Sequence, residues 1–371
     1  MNSNVRLGRI WGIPIGLNTS WFVVFALITW SLATNYFPRE YPLFSTIIYL
    51  SLGLATSLLI FASVLAHEMG HAYLAVRNKI PVRGITLFIF GGVAQIEREP
   101  STPGVEFRIA IAGPLVSLML SGLFGALWLV GQGHPLLAAP SEYLMRTNFI
   151  LAVFNLIPGF PLDGGRVLRA LVWHFSGNYH RATQLASFTG QIVAFGFIGF
   201  GVVQLFTGSF VNGLWMIFIG WFLQTAAAGA SSQAKLQRSL QGATVAQAME
   251  PNCSEVAALT PLSVLVDQRV LSTGQHCFYV TDSGNILGML TLRDITAIPK
   301  QKWGFTTAAQ AMVPFSRLIR VESSMGLMDA MQAMDSANLS EIPVMDAGRL
   351  VGTLSRERIL QFLRTRSQLG M

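Results

Sequence analysis

The 371-residue chain is 52% hydrophobic and only 12% charged, about half the charged share of a typical soluble domain, so a wholly soluble protein is excluded and part of the chain belongs in lipid. Its length allows two or three domains. A net charge of +7 invites nucleic acid as a partner. However, the Lys and Arg residues of the first half lie in short loops between apolar runs, with no basic cluster interleaved with aromatics; they read as topology determinants, and nucleic acid is not expected.

The sequence opens with Arg6 and Arg9 ahead of an apolar run. From Trp21 to Phe37 this run is long for a secretory signal core and lacks a small-residue cleavage site, so it is read as a retained first span. No Lys, Arg, Asp or Glu occurs between Arg9 and Arg39, Glu40 and His67, Arg108 and Glu142, or Arg181 and Lys235. Each gap holds at least the roughly 20 residues that a helix needs to cross a bilayer. Punctuation by charge, Gly and Pro gives six expected spans, at about 17–36, 46–76, 107–131, 143–158, 184–206 and 211–230. With the N-terminus inside, inner segments collect Arg77, Lys79, Arg83, Arg98, Arg108, Arg166, Arg169 and Arg181, whereas outer loops carry little beyond Arg39 and Arg146. An integral multi-pass protein of the cell (inner) membrane with both termini cytoplasmic is expected.

The second span ends in His67-Glu68-Met69-Gly70-His71, an HExxH pattern. Residues four apart share a helix face, so both imidazoles can reach one zinc ion, and Glu68 projects to where an attacking water would sit. Such a carboxylate can take the proton of a water whose acidity zinc has raised. A chance match on a soluble helix is the bland alternative; at the end of a long uncharged span, His and Glu are functional by default. The segment LFIFGGVAQIE at 87–97 is apolar and strand-like. It is expected to form a short hairpin at the membrane edge whose free strand pairs with unwound substrate, the alternative being a passive connector. Ala112-Gly113-Pro114 in the third span is expected only to let helices pack closely.

The fourth span is short and is followed by Pro158 and Pro161. Non-helical backbone at membrane depth implies a protected pocket. There Asp163, followed by two glycines, offers a third zinc ligand; alternatively it caps the next helix. Beyond about 231 the composition becomes soluble through a small-residue, Gln-rich linker at 231–242. An internal repeat follows. Val245-Ala-Gln-Ala-Met249 recurs as Ala308-Ala-Gln-Ala-Met312, and HCFYVTDSGNILGML recurs as SEIPVMDAGRLVGTL, which implies a pseudo-twofold α/β module over 243–371 with copies at 243–300 and 306–366. Cys253 and Cys277 have no metal or disulfide spacing and read as ordinary buried thiols.

HEMGH together with NLIPGFPLDGG resembles the site-2 protease family of intramembrane zinc metalloproteases. WGIPIGLNTSWFVVFAL, FIFGGVAQIEREP and AGPLVS are similar to that family too, so the resemblance covers about residues 8–230. It implies an α-helical polytopic membrane domain over 1–230, one Zn2+ held by His67, His71 and Asp163, and Glu68 as base. Asn155 would contact substrate or steady a tetrahedral intermediate as an amide donor. The expected activity is cleavage of a transmembrane segment of a membrane-protein substrate, with the lipid bilayer as surroundings. The C-terminal repeat resembles tandem cystathionine-β-synthase (CBS) domains, which implies adenine nucleotide (ATP or AMP) as a ligand and a homodimer through the module. Its ribose-contact pattern is Thr291-Leu-Arg-Asp294; in Ser355-Arg-Glu-Arg358 an arginine replaces the carboxylate, and arginine cannot accept a hydrogen bond from ribose. A CBS-gated transporter would need intramembrane charges along a path, and a catalytically silent scaffold would not need the full residue set; the sequence favours the protease over both.

Overall fold

The computed structural model describes residues 5–42, 44–89, 91–240, 242–251 and 254–368. The chain divides into two compact units, Met1–Ala234 and Lys235–Met371.

In the first unit, β1 (Val5–Ile10) and β2 (Ile13–Leu17) form an antiparallel hairpin. Asn18 then caps α1 (Thr19–Ser31), its side-chain oxygen accepting from the Ser20 N–H at 3.0 Å. The helical run continues into the short α2 (Phe37–Glu40). Next comes α3 (Thr46–Arg77), a 32-residue helix and thus ~48 Å long, followed by β3 (Val82–Phe88) and β4 (Gly91–Ile96). The sheet order is β1-β2-β3-β4, with β2 parallel to β3 and β3 antiparallel to β4. Met69 and Ala72 of α3 pack against Ile13 and Ile85 of the sheet. Apolar burial therefore fixes the helix that carries HExxH to the strands beside it.

Then follow α4 (Pro103–Val130), α5 (Pro135–Asn155), α6 (Asp163–Ser176), α7 (Tyr179–Phe206) and α8 (Phe210–Leu240). Among the described residues, five helical stretches are long and apolar enough to cross a membrane: Thr19–Glu40, Thr46–Arg77, Pro103–Gly133, Tyr179–Phe206 and Phe210–Gly229. The expected fourth span is not one of them. It is the second half of α5, which starts earlier and carries polar groups turned onto its neighbours. Arg146 pairs with Glu142 at 2.5 Å, the Tyr41 hydroxyl donates to Glu142 at 2.9 Å, and the Asn148 amide donates to Ser63 Oγ at 3.3 Å. The stretch expected to be a linker at 231–242 is helical through Leu240, because its Ala, Gln, Lys, Leu and Arg residues are strong helix formers.

The second unit is built from two similar halves. The first contains α9 (Val245–Ala248), β5 (Ser254–Ala257), α10 (Leu262–Leu265), α11 (Leu271–Thr273), β6 (Cys277–Asp282), β7 (Asn285–Thr291) and α12 (Leu292–Thr296). The second contains α13 (Ala308–Ala311), β8 (Val313–Pro314), β9 (Val321–Glu322), α14 (Leu327–Ser336), β10 (Glu341–Asp346), β11 (Arg349–Ser355) and α15 (Arg356–Gln368). The repeat is visible in detail: α9 and α13 each start with a Thr–Gln capping box, Thr244 with Gln247 and Thr307 with Gln310. Both hairpins, β6–β7 and β10–β11, shift register at the same point, after Val280 and after Val344. Phe278, Leu290 and Ile295 centre one core; Ile342, Leu354 and Ile359 centre the other. The Tyr279 hydroxyl donates to the Gly352 carbonyl at 3.0 Å and ties the halves together. Cys277 opens β6, partly buried; Cys253 lies outside the described residues.

Candidate metal centre

His67 and His71 lie one turn apart on α3, both 4% exposed. Asp163 is the first residue of α6, and Leu162 at the cap makes no side-chain bond. Asp163 therefore does not act as the helix cap; its Oδ2 lies 3.0 Å from His67 Nε2 and 3.2 Å from His71 Nε2, with the two Nε2 atoms 3.3 Å apart. The carboxylate also sits at the positive end of the α6 dipole. The bend that delivers it depends on glycine. A Cβ on Gly165 would lie 2.3 Å from the Gly159 carbonyl carbon, and one on Gly190 of α7 would lie 2.1 Å from the Phe160 carbonyl oxygen.

The outer nitrogens of the imidazoles are held by α4. His71 Nδ1 meets the Ile109 carbonyl at 2.6 Å and His67 Nδ1 meets Ser117 Oγ at 2.9 Å. A carbonyl only accepts, so His71 carries its proton on Nδ1, and in the neutral ring Nε2 presents a lone pair. That lone pair faces a carboxylate oxygen. His67 Nε2, His71 Nε2 and Asp163 Oδ2 converge at 3.0–3.3 Å, and ligand atoms ~2.1 Å from a tetrahedral zinc ion lie ~3.4 Å from one another. Gly113 lines the same space: a Cβ there would sit 2.2 Å from His71 Nε2 and 2.6 Å from His67 Nε2. The cradle is thus roomy because residue 113 has no side chain. Zinc fits the two imidazoles and the carboxylate, the outer nitrogens held by α4 and the space left at Gly113.

Glu68 points to the sheet side, where its Oε2 accepts the backbone N–H of Ala94 at 3.1 Å. A Cβ on Gly92 would lie 2.4 Å from Glu68 Cγ, so β4 approaches Glu68 closely only because Gly92 is bare. Asn155 lies at the last turn of α5, and its amide donates back to the Leu151 carbonyl at 3.0 Å; no hydrogen bond joins it to the histidine–aspartate cluster among the described residues. The Ala112-Gly113-Pro114 stretch needs correction: Gly113 and Ser117, four apart on one face of α4, shape the centre as well as the packing. That spacing within AGPLVS was the available signal.

A further polar group sits behind α6. Arg169 donates through Nε to Glu106 Oε1 of α4 at 2.6 Å and through a second guanidinium nitrogen to the same oxygen, and its third nitrogen donates to the Tyr179 hydroxyl at 2.6 Å. Its guanidinium lies over the Phe160 and Tyr179 rings, 5.0 and 4.8 Å from their centres.

Residues 55–146 and 134–197 match the model of Peptidase family M50, and residues 310–365 match the CBS domain model. A Synechocystis protein provisionally named a zinc metalloprotease is 36% identical over 379 residues, covering 98% of this chain and 97% of its own. The chain belongs to peptidase family M50, the site-2 proteases. A zinc metalloprotease of Methanocaldococcus jannaschii is 28% identical over 368 residues, covering 97% of this chain and 96% of its own. The solved Site-2 Protease from Methanocaldococcus jannaschii aligns with 61% of this chain and 94% of its own at 29% identity and a TM-score of 0.42. The M50 chain is thus an integral membrane metalloprotease carrying a CBS module, and zinc is the metal its family implies.

Within the second unit of this M50 chain, a cavity of about 710 Å³ is lined by residues including Glu250, His276, Glu341, Ser355, Arg356 and Arg358. Burial pushes the Glu341 carboxyl above its ordinary value of 4.5, with His276 pulling it down and Asp294 pushing it further up. Thr291 and Asp294 do not line this cavity. Asp294 accepts from the Thr291 N–H at 2.9 Å and from its hydroxyl at 2.6 Å, capping α12.

Proposed function

We propose that this protein is an intramembrane zinc endopeptidase in which His67, His71 and Asp163 hold the metal, Glu68 is the general base, and the substrate is a transmembrane segment of another membrane protein. The observation that carries the reading is the convergence of His67 Nε2, His71 Nε2 and Asp163 Oδ2 at 3.0–3.3 Å, beside a glycine whose Cβ would fill the space between them. When bound, zinc supplies Lewis acidity to a substrate carbonyl and to water. The chain's own residues do the rest. Ser117 and the Ile109 carbonyl keep both imidazoles turned inward. Glu68 accepts a proton from the attacking water and delivers it to the leaving amine. Asn155, at the mouth of the broken segment, steadies the oxyanion once it exchanges its Leu151 contact for substrate.

A helix shields its peptide bonds, so the substrate must unwind to be cut. Its partner is β4, the sheet edge that lies against Glu68, where an extended segment can add as a strand. The excess of Arg and Lys on the inner loops supports a cut near the cytoplasmic face, with both termini cytoplasmic in the cell (inner) membrane. The CBS pair takes an adenine nucleotide that regulates cleavage and joins two copies of the chain; the volume of the second-unit cavity and the arginines in it support a phosphate-bearing ligand. The lining supports Ser355 and Arg358 as nucleotide contacts beside the Thr291 and Asp294 of the ribose pattern.

Glu68→Gln tests the mechanism. The variant, purified full-length in detergent, retains one zinc per chain while cleavage of a reconstituted transmembrane substrate falls at least ~100-fold. Wild-type turnover by Glu68→Gln refutes the assigned base.

A further inference from the structure

We propose that the buried Glu106–Arg169 pair is a positioning device for the metal centre, tying Asp163 to the same helix that orients His67 and His71. The inference rests on reading those three residues as the ligands. Two of them are already referenced to α4, His71 through the Ile109 carbonyl and His67 through Ser117. Asp163 has no direct bond to α4 among the described residues; it belongs to α6, which arrives after a non-helical segment. Glu106 lies one turn before Ile109 on α4, and Arg169 lies on α6 below Asp163.

Arg169 joins α4, α7 and the bend itself. Its fork closes on Glu106 of α4, its remaining nitrogen holds Tyr179 at the start of α7, and its plane covers Phe160 in the segment leading to Asp163. Phe160 is in turn tied to α7 by its backbone N–H, which donates to the Ala186 carbonyl at 3.1 Å. Glu106 is 0% exposed and Arg169 7%. Stability alone is a poor reason for such a pair, because replacing a buried ion pair with apolar groups of similar volume is often neutral or stabilising. Direction is what it supplies. An apolar contact lets a helix slide or rotate, whereas a planar guanidinium bonded on three sides does not, and a metal site needs its ligands held to within ~0.5 Å.

The double variant E106Q/R169M removes the device without leaving an unpaired buried charge. In full-length, metal-stripped protein it lowers zinc affinity about ten- to hundredfold in chelator competition and weakens the visible band of the cobalt-substituted protein. The thermal midpoint of the metal-free form stays level or rises. A role confined to stability would lower the midpoint and leave the cobalt spectrum alone. R169K, which keeps the charge but not the fork, gives the same reading if the double variant does not fold. Wild-type zinc affinity and cobalt spectrum in the folded variant overturn the proposal. D163A separates the two layers: wild-type zinc affinity there removes Asp163 as a ligand, whereas lost affinity in D163A beside wild-type values in the pair variants leaves the ligand set standing and defeats the positioning role.

Discussion

At the scale of single residues, the centre is decided by which nitrogen of each histidine is spent. The Ile109 carbonyl can only accept, so His71 turns a bare Nε2 inward, toward an oxygen that also carries only lone pairs. The same logic extends to Gly113. Its missing side chain is the volume in which the three ligand atoms meet, and a methyl there would sit 2.2 Å from His71 Nε2. Gly113→Ala is therefore expected to abolish stoichiometric zinc binding while costing only about 1–3 kcal/mol of fold stability, the usual range for one added methyl in a packed interior. Zinc content by mass spectrometry, read beside thermal unfolding, checks this; a full equivalent of zinc in a folded Gly113→Ala protein contradicts it.

Among the elements, β4 carries the most consequence for chemistry. Its partner β3 lies on one side, and its Ala94 N–H is engaged by the Glu68 carboxylate. Strand and carboxylate therefore touch, and Gly92 permits the contact. Gly92→Val places a Cβ 2.4 Å from Glu68 Cγ and 3.2 Å from Leu87 Cδ2, which must displace either the base or the strand. The expected outcome is normal zinc content with cleavage reduced at least ~100-fold, the scale of losing a general base; assays of metal content and turnover on one preparation decide it, and unimpaired cleavage removes β4 from the substrate path. α5 makes a different point. Glu142 pairs with Arg146 and accepts from Tyr41, and the Asn148 amide nitrogen donates to Ser63, the kind of pairing by which polar groups are kept inside a membrane protein.

For the whole molecule, the question is how a CBS module serves a membrane protease. The cavity in the second unit contains Arg356, Arg358, His276 and the carboxyl of Glu341, which burial holds above its ordinary value of 4.5. The folded protein thus holds the Glu341 proton more tightly than the unfolded chain does. Stability from this group is fully present below pH 4.5 and is lost as pH rises through the raised value. Above that value the carboxylate repels an anionic ligand. AMP binding by calorimetry is expected, and Glu341→Gln is expected to tighten it severalfold at neutral pH and to flatten its decline from acid to neutral. Unaltered cleavage and no heat of binding with ATP or AMP would exclude nucleotide control.

Much of this protein was legible without coordinates because the signals were local. HExxH sets two imidazoles on one face by helical spacing alone, charge-free runs announce lipid, and a repeat announces two similar halves. Legibility failed where partners lie far apart in the chain. The polar groups of α5 find their partners at Tyr41 and Ser63, 101 and 85 residues away. Gly113 looked like packing because the Gly113–Ser117 spacing in AGPLVS, though it marks one helix face, does not say that two imidazoles on another helix meet that face. Thr291 and Asp294 match a ribose pattern, and only the structure shows the bonds that Asp294 makes to Thr291 at the start of α12. Spacing along one helix determines which residues can act together; only the tertiary structure decides that a carboxylate from another helix meets the two imidazoles, which carbonyl sets a tautomer and which glycine leaves room between them.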